Sequence, residues 1–101
     1  ERLAEARVVL GFGELALASG LIEEAVGRLH QALGLFRKID APLYEVRVLV
    51  MLSEAYGVAG EAEAARSASE EALKLVGTMP PTIAGRVRAQ LAGPLITRSK
   101  Q

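Results

Sequence analysis

The segment LGFGELALASG, Leu10 to Gly20, carries Gly11, Gly13 and Ala16 at the spacing G-x-G-x-x-A. In a dinucleotide-binding turn, glycines so spaced let the backbone approach a pyrophosphate. That chemistry needs a strand before the turn and a helix after it, and no strand pattern precedes Leu10. Apolar residues recur there at helical spacing instead: Val8, Leu10, Phe12, Leu15 and Ala16. The glycines are therefore expected to serve packing. Other reactive groups are sparse. His30 is the 1 histidine of a chain with 0 cysteines, so the usual zinc ligand sets cannot be assembled. No base or nucleophile stands in register with it, and a structural role is expected. Ser53 falls at a small-residue position, where its hydroxyl should be buried against a helix. Glu23, Glu24, Glu61 and Glu63 cluster at helix starts, where the helix dipole alone accounts for them. These residues predict no enzyme, no cofactor and no metal.

The elements that would position such groups are set by an internal repeat. Shifting the chain by 40 residues aligns 11 identical pairs without a gap, among them Arg7/Arg47, Val8/Val48, Glu14/Glu54, Gly20/Gly60, Ala25/Ala65 and Leu33/Leu73. In the second copy Met51 replaces Gly11, a change that no phosphate-binding turn would tolerate. Each copy reads as two helices. The first four are expected at about 3–18, 22–38, 42–58 and 61–76. A fifth begins near Pro81 and should be kinked or ended by Gly93–Pro94. Asp40 offers an N-cap to the third helix, and Pro42 suits its first turn. The organisation is thus repeat one at 1–40, repeat two at 41–80, and a further first helix or capping helix with a tail at 81–101.

Composition narrows the classes. The 101 residues hold 12 basic and 12 acidic side chains, so the net charge is zero. A nucleic-acid partner would call for a basic surplus, so no direct nucleic acid is expected. The absence of cysteine fits a reducing, cytoplasmic compartment. No apolar run approaches the roughly 18 residues of a membrane helix, so no membrane partner is expected. The chain opens on ERLAEAR, without an initiator methionine, which points to a piece of a longer protein. An apolar fraction of 50% in so short a chain suggests apolar surface covered by a partner.

The series Gly13, Ala16, Gly20, Ala25, Ala32, repeated as Ser53, Tyr56, Gly60, Ala65, Ala72, resembles the tetratricopeptide repeat. The resemblance covers about residues 5 to 76. It departs at the family's tryptophan position, which holds Val9 and Leu49, and in lacking the usual helix-ending proline. It implies an all-α, TPR-like α-solenoid of antiparallel helix hairpins, with about two and a half repeats in five helices. Gly13 with Ala25, and Ser53 with Ala65, would let the two helices of each hairpin approach closely. More narrowly, Asp40, Ala41, Pro42, Tyr44, Glu45 and Arg47 resemble a junction in the helical repeat arms of MalT-like and LuxR-type bacterial transcription regulators.

The resemblance places a binding groove on the first helices, at Arg7, Leu10, Glu14 and Leu17 in copy one and Arg47, Val50, Glu54 and Val58 in copy two. A protein or peptide partner, or a neighbouring domain of the parent protein, would occupy it. Two alternatives remain. A small anionic effector could sit between Arg7 and Arg47, since arginine clamps carboxylates in bidentate fashion. Or the chain could be a structural, self-associating segment. The same Arg and Glu residues could equally be solvated, or form ion pairs between helices. A homodimer is expected, formed through the open first helix or through Ile83, Val87, Leu91, Leu95 and Ile96 of the fifth.

Overall fold

The computed structural model describes the backbone of residues 1–99 and the side chains of residues 1–91. Among the described residues the chain is all-helical: α1 (Arg2–Ala18), α2 (Ile22–Lys38), α3 (Pro42–Val58), α4 (Ala62–Val76) and α5 (Pro81–Ser99). α1 packs on α2 and α3 on α4 as hairpins, and α2 packs on α3 to join them. The result is an all-α helical-repeat fold. α5 does not end at Gly93–Pro94, as the proline led one to expect, but runs on to Ser99. Leu95 and Ile96 lie outside the residues whose side chains are described.

The turns explain why the period holds. Gly20, Asp40 and Gly60 have φ of 78°, 53° and 80°, the left-handed conformation that closes a helix. At each, the next residue donates its N–H to a carbonyl five residues back: Leu21 to Ala16, Ala41 to Phe36, and Glu61 to Tyr56. These bonds satisfy helix-end carbonyls and reverse the chain every twenty residues. Asp40 is therefore the C-terminal closure of α2. It is not the N-cap of α3, a position held by Ala41 without a side-chain bond. Pro42 opens α3, as its locked φ favours. The next position in this rhythm is Pro80, whose ring forbids a left-handed residue. There the chain leaves α4 through Thr78 and Met79, whose N–H groups donate to Leu75 and Val76.

The core is continuous from α1 to Ala84 of α5, with Phe36, Leu29, Leu52, Val48 and Val76 as its largest fully buried side chains. Phe36 and Tyr44 stack across the α2–α3 joint, their centroids 4.6 Å apart and their planes 5° from parallel. Of the two glycines in the opening motif, only Gly13 serves packing. A Cβ there would meet the Leu29 side chain at 3.0 Å, so α1 and α2 approach closely at Gly13 and Leu29. Gly11 is exposed, and a Cβ on it would meet nothing within 4 Å. In the second hairpin Ser53 is half-buried, and its hydroxyl donates to the Ala65 carbonyl at 2.8 Å, a bond that ties α3 to α4.

Candidate functional site

The expected groove residues separate into three groups. Leu10 lies in the core at 3% exposure, so it is not open to a ligand. Leu17 and Val50 are half-buried. Arg7, Glu54 and Val58 are exposed, as is Arg47, while Glu14 is half-buried. The structure brings together one pair of these charges: the Arg47 Nη2 donates to Glu14 Oε2 at 2.7 Å, bridging α3 and α1. The two first helices thus face each other at these positions. The bridge also occupies Arg47, the cation on which an anion clamp with Arg7 would depend.

Beside Arg47 lies an open trough of about 580 Å³ between α3 and α5. Val46, Val50 and Met51 line one wall and Ile83, Val87 and Leu91 the other, with Arg47, Arg86 and Gln90 as polar groups. The volume falls within the range of small-molecule pockets, roughly 300–1,000 Å³. Arg86 was not among the residues expected from sequence, because α5 departs from the repeat pattern.

His30 is exposed. Its Nε2 is 2.7 Å from the Tyr56 hydroxyl, a hydrogen bond that helps hold α2 on α3. Arg37 of α2 pairs with Glu71 of α4 across the same joint. Both arrangements are structural, and both are local to the joint between hairpins. Among the described residues, no cluster of three or more histidine, aspartate or glutamate side chains could hold a metal ion. No helix among them is long and apolar enough to cross a membrane.

The open first helix named from the sequence carries a stripe of residues that were not among the expected groove positions. Val8, Phe12 and Leu15 are 58%, 53% and 64% exposed, whereas their counterparts in the repeat, Val48, Leu52 and Ala55, are 0%, 1% and 0% exposed. They follow one another at i, i+4 and i+7, so they form a single stripe. Ala4, Gly11 and Ala18 are also exposed on α1 and widen it. Arg28 of α2 reaches over one edge, its Cζ 5.5 Å from the centre of the Phe12 ring. The repeat register itself carried this signal: a position buried by a preceding helix in copy two has no such helix in copy one.

Comparison with protein-family models, with curated proteins and with solved structures gives no match to the chain.

Proposed function

We propose that the chain is a non-enzymatic protein-interaction domain of the tetratricopeptide-like helical-repeat kind, and that it works by presenting preformed helix faces to a protein partner. The observation that carries this reading is the stripe of Val8, Phe12 and Leu15, three large apolar side chains more than half exposed on one rigid helix. Soluble domains seldom leave such a contiguous patch uncovered unless something binds it. The helix is already formed and anchored to α2 through its opposite face, so a partner would pay little ordering cost there.

The junction at Asp40 to Arg47 supports placing the domain in a bacterial regulatory protein, and the cysteine-free composition supports the cytoplasm. The anionic-effector reading is the weaker one, because Glu14 already neutralises Arg47.

Photo-cross-linking in the cells that make the protein tests the reading. A photoreactive residue replacing Leu15 should yield discrete protein adducts, while one replacing the exposed Gln31 on α2 should not. Adducts of equal yield at both positions, or none at Leu15, would refute it.

A further inference from the structure

We infer that the α1 face is a seat for one more helical hairpin of this same class, lying outside residues 1–101, whose second helix rests on Val8, Phe12 and Leu15. This rests on the reading of the chain as an interaction domain and names its partner.

The molecule contains its own template. α1 and α3 stand in the same register and each packs on the second helix of its own hairpin, α1 on α2 and α3 on α4. The residues common to both contacts are buried in both: Ala6 with Val46, and Val9 with Leu49. α3 additionally buries Val48, Leu52 and Ala55. α3 packs on two second helices, α4 of its own hairpin and α2 of the preceding one, whereas α1 among the described residues packs on only one, α2 of its own hairpin. A helix of the α2 kind is therefore what this face accommodates at its second occurrence. At α1 the same positions keep their apolar character as Val8, Phe12 and Leu15.

Charge points the same way. Arg47 takes its carboxylate from Glu14, a residue of the preceding first helix. Arg7 occupies the register position of Arg47 on α1 and is exposed. A docked hairpin would bring its own first helix alongside α1, and an acidic residue placed like Glu14 would reach Arg7.

The far end of a second copy is a poorer occupant. α2 meets α3 through His30, which bonds Tyr56, through Phe36, which stacks on Tyr44, and through Leu33, which lies beside Leu49 and Leu52. The corresponding α4 residues are Glu70, Val76 and Leu73. Glu70 is charged and Val76 is already buried within the chain, so only Leu73 remains to offer. The surface of α2, and not that of α4, carries the chemistry the seat requires.

The test uses the full chain and a fluorescent peptide of residues 21–40, stapled between positions 27 and 31, which are exposed in α2. Anisotropy titration should show saturable binding that Phe12→Glu and Leu15→Glu each weaken at least tenfold, while Gln31→Glu leaves it unchanged. A matching peptide of residues 61–80 should bind at least tenfold more weakly. Circular dichroism should show both glutamate variants as helical as the parent, since the altered side chains are exposed. Peptide binding that ignores Phe12→Glu, or that does not prefer residues 21–40, overturns the inference. Sedimentation separates its failure from that of the broader reading. If the chain dimerises and Phe12→Glu abolishes the dimer while the peptide fails to bind, the face is an interface and its occupant is a second copy, which overturns the hairpin. If Phe12→Glu changes neither peptide binding, nor dimerisation, nor cross-linking at position 15, both readings fall.

Discussion

α1 and α3 are the same helix written twice, and they live in opposite surroundings. Each begins a hairpin, each carries Leu, Glu, Arg, Val and Glu at matching positions, and each is apolar on most sides. Yet Val48 is sealed while Val8 stands more than half exposed. In a stacked-repeat protein, side-chain type sets which face wants burial, and the neighbouring hairpin sets whether it is buried. Burial here is a property of position in the array.

The largest test of that contrast is a matched pair of truncations. Leu52→Ala should cost about 2–5 kcal/mol in urea unfolding, as expected for a sealed core leucine. Phe12→Ala, its counterpart in α1, should cost no more than about 1 kcal/mol, because water already reaches that ring. Losses of equal size would mean that α1 is covered in solution, and the contrast would vanish.

The turns supply a smaller test, since they keep the two helices in register. Gly20→Ala and Gly60→Ala should each cost about 1–2 kcal/mol, the price of a Cβ in the left-handed conformation. Asp40 already bears a Cβ there, so Asp40→Gly should stabilise by a few tenths of a kcal/mol. Thermal melts of the three variants decide it, and a stabilised Gly60→Ala would contradict the turn geometry.

The smallest expected effect lies at Gly11, the position that most distinguishes α1 from α3, where Met51 stands. With nothing within 4 Å of an added Cβ, Gly11→Ala should raise stability by about 0.5–1 kcal/mol by restoring helix propensity. A loss instead would show that a neighbour approaches this glycine in solution.

Much of the fold was legible because it is periodic. The 40-residue shift located the first four helices, and α2 and α3 begin and end where the pattern places them. Legibility failed where a residue had two local uses. Asp40 is a good N-cap and also one of the few residues that tolerates a left-handed φ, and the hydrogen bond from Ala41 to Phe36 decided for the second. Gly11 and Gly13 look alike in sequence, but only one points at Leu29, and that depends on how the helices rotate about their axes. For the site, the recurrence of arginine and glutamate was visible, while their pairing from Glu14 to Arg47 required knowing that α1 and α3 lie side by side. That α1 is an open helix was read from the repeat, but that Val8, Phe12 and Leu15 form its exposed face was not, because the same positions are core in α3.

One consequence of the α2–α3 joint concerns how the molecule would be seen to unfold. The chain has no tryptophan and 2 tyrosines, and both tyrosines sit on α3 facing α2: Tyr44 stacked on Phe36, and Tyr56 bonded to His30. Tyrosine absorption and emission thus report a single seam in the middle of the array and are blind to α1 at one end and α5 at the other. Fraying that begins at either end would dim the far-ultraviolet helix signal while the tyrosines stayed native. The gap between the two optical transitions would measure how far the ends come apart before the centre gives way.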